Sequence, residues 1–429
     1  MKNSQSKNLY CFDNYQIYSG GTFASLFMLT PVFATYKNAY TGLSRSTWML
    51  SIVMLINRSG TMVVPFLTLY LISMGYSVSK AGFVFAFFGL GAFSGAFVGG
   101  KLTDKIGFYP VQIITLLGGG VMFFVLAQMQ TYWLICLFTY LLAFINEAFR
   151  PANSTAIAFY SKPENRTRSY ALNRLAINLG WAIGSGIGGI LANINFSLLF
   201  YVDGVTNIIA GVLIWIFLKP VTFRSESEKH FETITSLSPY KDKVYLLFIL
   251  LTVFFASCFF QIFTNFSPFF FNELHFSKPL IGFLLAVNGL VIAIVEMVLI
   301  YRLEGRRKNL DYISFGILMV GIAFLMFNIP GMGPMLAFCM ITLLTFGEIF
   351  SMPFMNSFWI NRTQLGNRGQ YAALYTMAWS AAQTLGPLGG SQLAGHFGFK
   401  WLWFSAGAIC ITVSLLIRRL KKMDAPGGK

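Results

Sequence analysis

Six ionisable residues stand deep inside apolar stretches of this 429-residue chain: Arg58, Glu147, Arg150, Arg174, Glu296 and Glu348. Three are acids and three are bases, so they can neutralise one another in pairs or networks. Charge at membrane depth is expensive, and where it persists it marks binding, ion movement or gating by default. The chemistry open to this set is narrow. His230 and His275 fall in connections and His396 at the end of a stretch, so a carried proton must ride on a carboxylate. A carboxyl stripped of water titrates closer to neutral pH, where it can load and release a proton. An arginine at the same depth can fork onto a substrate carboxylate. No metal-ligand cluster, nucleophile elbow or phosphate loop accompanies them, which argues against an enzyme and calls for no cofactor or metal. The five cysteines contain no C-x-x-C pair, so neither a disulfide framework nor a zinc site is expected.

Glu147 and Arg150 are three residues apart and can pair along one helix face. Pro151 follows at once and is expected to weaken the helix there. Glu147 has two readings, a tie between helices or a substrate and proton site. Arg58 sits in Asn57-Arg-Ser-Gly-Thr61, eleven residues into the first apolar stretch, where no snorkelling route is short. It either receives a substrate carboxylate or is a standing counter-ion to Glu147. Asn178 lies one turn beyond Arg174. Glu348, in Thr345-Phe-Gly-Glu-Ile-Phe-Ser-Met-Pro353, is read as functional. Glu296 and Asp203 are read as packing or gate residues. The phenylalanines, among them 259, 260, 263, 266, 269 and 270, are mostly packing or lipid-facing, with a fraction free to line an aromatic cavity.

These residues need membrane helices to hold them. Hydrophobic residues make up 56% of the chain and charged residues 11%, against about 25% charged in soluble domains. A spanning helix takes about 20 mostly apolar residues. Twelve such stretches begin near Trp48, Val78, Pro110, Tyr132, Ser169, Ser197, Val244, Pro279, Leu310, Gly333, Ala372 and Gly398. The net charge of +16 could invite a nucleic-acid reading. Its distribution excludes that. With the N-terminus inside, 25 of the 31 Lys and Arg fall on the cytoplasmic side and three (Lys80, Lys278, Lys400) on the other; the remaining three are Arg58, Arg150 and Arg174. That asymmetry is the positive-inside rule, and it puts both termini in the cytoplasm of a multi-pass cell-membrane protein.

The expected organisation is a cytoplasmic tail (1–46), a six-helix bundle (47–218), a cytoplasmic linker (219–243), a second bundle (244–419) and a short tail (420–429). Within the first tail, Thr22 to Ala34 is apolar but too short to span, and Met28 is an alternative initiator. The halves repeat at an offset of 201: Glu147 with Glu348, Gly188-Gly189 with Gly389-Gly390, and Tyr170-Ala171 with Tyr371-Ala372. Internal repeats are a common plan of secondary transporters.

The segment Gly100-Lys-Leu-Thr-Asp-Lys-Ile-Gly107 reads as a short charged hinge between two spans. It resembles the loop between the second and third helices of the major facilitator superfamily, G-x-L-x-D-K/R-x-G-R-K/R. Gly100, Leu102, Asp104, Lys105 and Gly107 match; Phe108 and Tyr109 stand in place of the basic pair. Gly180, Gly184, Gly188 and Gly189 resemble the fifth-span pattern G-x-x-x-G-P-x-x-G-G of its proton-driven exporters, with Ser185 in place of proline. The run from Asn146 through Arg166 and Arg168 to Gly180 also looks like bacterial drug-exporter-like members. The first span through Leu69-Tyr70-Leu71 echoes proton-dependent peptide transporters, with Asn57 replacing an acid. The resemblance implies an all-α membrane protein of two pseudo-symmetric six-helix bundles, working as a monomer by alternating access. It implies proton-coupled export of a small organic molecule, with Arg58, Glu147, Arg150, Arg174 and Glu348 at the substrate and proton site and Gly100, Asp104, Lys105 and Gly107 gating. Asn57, Asn178 and Glu296 are secondary candidates. Uptake of a zwitterion such as a short peptide is the alternative. A non-transporting receptor on the same scaffold is the rival of another class, and the mid-membrane charges argue against it.

Overall fold

The computed structural model describes residues 42–162, 166–218, 239–303, 306–362 and 368–424. The expected N-terminal tail, most of the linker, and the side chains of Asp104, Arg166 and Arg368 lie outside that description. Every regular element described is helical. Among the described residues, eleven helices are long and apolar enough to cross a membrane: Arg45–Ser73, Val78–Thr103, Phe108–Ala127, Tyr132–Tyr160, Arg168–Ile194, Ser197–Phe217, Lys243–Thr264, Lys278–Ile300, Asn309–Met326, Pro334–Asn361 and Phe399–Met423. A further 30-residue helix, Arg368–Phe397, precedes the last of these. It packs against the second and seventh. Its glutamines, serines and threonines keep it less apolar, and it completes twelve spans, numbered here in chain order.

The helix starts fall within four residues of the sequence expectation, because hydropathy and breakers act together at membrane boundaries. Three local expectations change. The Gly100–Gly107 segment is not an eight-residue turn: span 2 stays helical through Ile106, and only Gly107 (φ 87°, ψ 161°) departs. Nothing before Gly107 breaks a helix, and that backbone region is open to glycine alone. Span 4 continues through Pro151 to Tyr160 without interruption. The last helix runs to Met423, past the expected end at 419.

Spans 1 and 7 are each broken, and the breaks match across the repeat. Span 1 stops at Ser59 and resumes at Val63. Span 7 stops at Phe259 and continues as short pieces from Gln261. Gly60 and Gln261 are 201 apart, the offset of the sequence repeat. The small residues of spans 5 and 11 make room for these breaks. Gly180 and Gly184 meet the backbone of Arg58 and Ser59, and Gly188 meets Met62. Gly386 and Gly390 meet Ser257 and Gln261. The glycine pattern therefore serves close helix approach.

The freed backbone is satisfied differently in the two breaks. In span 1, buried Asp203 of span 6 accepts from Met62 N (3.0 and 3.1 Å) and Val63 N (2.9 Å). In span 7, Gln261 Nε2 donates to the carbonyls of Ser257 and Gly386 (both 2.8 Å), and Asn265 Nδ2 donates to Gln261 Oε1 (2.6 Å). A carboxylate caps one break and amides cap the other. An asparagine at 203 has one carbonyl oxygen for these donors, and its NH2 would face an N–H. Asp203→Asn is therefore expected to destabilise the protein by about 2–4 kcal/mol, since buried donors lose a charged acceptor. Thermal unfolding in detergent measures this; an unchanged Tm would mean that water satisfies the break.

Spans 1–6 meet spans 7–12 mainly along spans 5 and 8 and along spans 2 and 11. Most polar contacts between them gather at one end of these helices. Gln392 Nε2 donates to Ser79 O (3.2 Å), Lys278 Nζ to Ala192 O (3.1 Å), and Ser267 Oγ to Pro65 O (2.6 Å). Gly189 and Gly282 bring two backbones into contact. Toward the opposite end the contact is the ion pair Arg174–Glu296, about 12 Å into span 5 from Arg166 at 1.5 Å per residue.

Candidate substrate and proton site

The mid-membrane charges divide into two groups. The first belongs to spans 1–6. Arg58 lies in the last turn of the first piece of span 1, beside Asn57, whose Nδ2 donates to Asn207 Oδ1 of span 6 (2.9 Å). Asn207 Nδ2 donates in turn to the Asp203 carbonyl (2.8 Å). Glu147 accepts from Arg150 on its own helix (3.0 Å), as their spacing requires. Arg58 lies within electrostatic reach of Glu147 and Arg150 but makes no ion pair with Glu147. Its Nε is buried without a hydrogen-bond partner. Arg58, Glu147, Asp203, Asn57, Asn146 and Asn207 surround a cavity of about 60 Å³. That volume holds about two waters.

The second group lies where the halves meet. Arg174 of span 5 pairs with Glu296 of span 8 at 2.9 and 3.0 Å. The Glu296 side chain is 5% exposed and that of Arg174 is 42% exposed, so the pair is held from the span 8 side and open on the other. Glu348 of span 10 accepts from Asn288 Nδ2 (3.0 Å), and Asn288 also donates to Thr345 Oγ1 (3.0 Å). Among the described residues Glu348 has no cation in direct contact; Arg174 and Glu296 are within electrostatic reach. Glu147 and Glu348 occupy equivalent places in the repeat yet differ in partner. One faces an arginine and the other an amide.

Beside this second group stands an aromatic wall. Trp181 of span 5 meets Phe263 edge-on (5.1 Å between centroids), and Phe259 and Phe260 each approach Trp379 at 6.1 Å. Tyr375 joins Trp379 (6.3 Å) and is within electrostatic reach of Arg174. The Trp379 indole N–H is buried and turned toward Tyr375. By contrast Phe266, Phe269 and Phe270 pack around Trp403 and Phe327 in the core of the second half.

Of the sequence candidates, the structure brings Asn57 and Arg58 close to Glu147 and Arg150, and Arg174 and Glu296 close to Glu348. Asn178 contributes its carbonyl to the close approach of Gly289 between spans 5 and 8. Gly100 and Lys105 lie in the last turns of span 2, where Gly99 packs against Ala148, the neighbour of Glu147. Asn288, Trp181, Tyr375 and Trp379 were missed. Asn288 had a signal: it is a rare polar residue in span 8, about two turns before Glu296. The tryptophans had none that separates cavity from packing.

The sequence profile described as Major Facilitator Superfamily matches residues 23–387. The chain belongs to the major facilitator superfamily. An uncharacterised transporter of this type from Bacillus subtilis, YqjV, is 24% identical over 377 residues, covering 85% of this chain and 86% of that protein. A Na+, Li+, K+/H+ antiporter from Planococcus maritimus is 22% identical over 389 residues, covering 83% and 90%. Among solved structures, the nucleoside transporter NupG (D323A mutant) superposes with a TM-score of 0.73 at 14% identity, covering 88% of this chain and all of that one. That likeness is one of fold. The protein is thus a multi-pass membrane transporter of this superfamily and not an enzyme.

Proposed function

We propose that the protein exports a small amphipathic organic molecule in exchange for protons, with Glu348 as the coupling carboxylate. The observation that carries this reading is the partner of Glu348: a neutral amide, beside an aromatic wall, with the nearest arginine engaged by Glu296. A carboxylate so placed can exchange a proton for a cationic substrate, and the rings of Trp181, Tyr375 and Trp379 suit the apolar body and charge of such a molecule. Glu147, already neutralised by Arg150, tunes affinity. Arg58 with its unpartnered Nε sets the electrostatics of the small cavity in spans 1–6. Antiport is supported by the cation/proton antiporter among the relatives. With both termini cytoplasmic, the contacts at Ser79, Lys278 and Gln392 close the outer side.

Two measurements test this. In everted membrane vesicles holding a pH gradient, adding a lipophilic aromatic cation such as ethidium should release protons. Release by sodium or potassium alone would assign alkali-cation exchange instead, and no response to either would remove proton antiport. Reporter tags at residue 1, in 219–238 and after 429 should all report cytoplasm, and a signal from the opposite side at any of them would overturn the orientation.

A further inference from the structure

A second hollow of about 880 Å³ lies where the end of span 8, the start of span 9 and the end of span 12 converge, with Phe350 of span 10 in its wall. Its rim carries Arg306, Arg307, Lys308, Arg418, Lys421 and Lys422. The one acid lining it among the described residues, Asp311, is bound by Lys421 at 2.6 and 2.8 Å. Over 303–311 and 418–424 the sequence holds seven cations against three carboxylates, Glu304 and Asp424 included. The positive-inside bias explains basic loops here, but a hollow with a built floor is more than a loop.

Buried Ser314 and Ser414 bond to each other (3.0 Å between hydroxyls) and lock span 9 to span 12. Ser314 Oγ also accepts from Arg418 Nε (3.0 Å), which orients the guanidinium. Among the described residues no carboxylate pairs with Arg418, Arg306, Arg307, Lys308 or Lys422. An oriented arginine fork among lysines is the chemistry of phosphate recognition. Below the cations the wall turns apolar. Phe315, packed edge-on against Phe350 (5.2 Å), lines the hollow and is exposed, as are Ile322 two turns further along span 9 and Leu415 on span 12.

We propose that this hollow binds the phosphate headgroup of an anionic phospholipid, with its acyl chains along the exposed faces of spans 9 and 12. A soluble phosphate would use the cations and leave the apolar stripe without a role; a lipid uses both. Basic recesses between spans at the cytoplasmic surface suit such headgroups.

The test is retention of phosphatidylglycerol by the full-length protein in detergent, read by native mass spectrometry. Arg418→Gln with Lys422→Gln should weaken retention about 30-fold, the equivalent of about 1 kcal/mol for each charge removed. Lys241→Gln with Lys243→Gln removes the same charge near the same membrane face and should leave retention unchanged. Phosphatidylcholine should not be retained, and millimolar pyrophosphate should not displace phosphatidylglycerol. Equal loss in both double variants would reduce the effect to bulk charge and overturn the proposal. Displacement by pyrophosphate would overturn it in favour of a soluble anion pocket.

Discussion

Glu348→Gln is expected to abolish accumulation against a gradient while leaving exchange of substrate for substrate in place. Glutamine keeps an oxygen to accept from Asn288 Nδ2, now at 3.0 Å from the carboxylate, so the local packing has no reason to change. What it loses is the proton. With one proton exchanged per substrate, a gradient of one pH unit drives up to about tenfold accumulation, from about 1.4 kcal/mol per unit. Without coupling the ratio falls to about one, because a carrier that cannot titrate only equilibrates its substrate. Proteoliposomes with an imposed pH gradient measure both activities. Glu147→Gln is the control. Its carboxylate is neutralised by Arg150 at 3.0 Å, and its loss should alter apparent affinity while uphill transport persists. If Glu348→Gln accumulates substrate as the wild type does, Glu348 carries no proton. If Glu147→Gln fails in its place, the coupling group lies in the first half.

The contrast between those two glutamates shows what the sequence could and could not reveal. The 201-residue offset made them equivalent, and their depth was legible from hydropathy, because membrane length and charge cost act on composition alone. Their partners were not legible. Arg150 is a neighbour in sequence, so its pairing with Glu147 could be read from helix spacing. Asn288 lies 60 residues before Glu348 on another helix, and no local period links them. Arg58 shows the same limit: its depth was evident, but the sequence left open whether it receives a substrate carboxylate or stands as counter-ion to Glu147, whose direct ion pair is with Arg150. The break in span 1 had one signal, Pro65, which lacks an N–H and crowds the carbonyl of Thr61 four residues back; Gln261 carries no such signal. Asp203 in the first break, and Gln261 with Asn265 in the second, satisfy the polar groups there. The sequence also over-read Gly100–Gly107, where charged residues in the last turns of a helix looked like a turn.

Arg174 and Glu296 carry the second large effect. They join spans 5 and 8 at 2.9 Å, on the opposite side of the membrane centre from the contacts at Ser79, Lys278 and Gln392. Alternating access requires one of these two sets of contacts to open as the other closes. An ion pair formed in one state biases the equilibrium toward it by the difference in its free energy between states. A fully buried pair broken on one side costs about 3–5 kcal/mol. Arg174 is 42% exposed, so solvent screening reduces this to about 1–2 kcal/mol, or roughly a five- to thirtyfold shift in population. Glu296→Gln and Arg174→Gln should each shift the balance by that factor toward the state in which the ends of spans 5 and 8 near 166 and 303 stand apart. Spin-label distances between those ends, in a variant freed of native cysteines, read the shift directly. The charge swap Arg174→Glu with Glu296→Arg should bring the distance distribution back toward the wild type, because the pair is restored in reverse. If both single variants keep the wild-type distribution, the pair is a packing contact that survives the whole cycle. If the single variants widen it and the swap does not recover it, the effect belongs to Glu348, whose carboxylate lies within electrostatic reach of both residues. Combining the single variants with Glu348→Gln then separates the latch from the proton: a latch shifts distances in either background, whereas a change acting through Glu348 disappears in its absence.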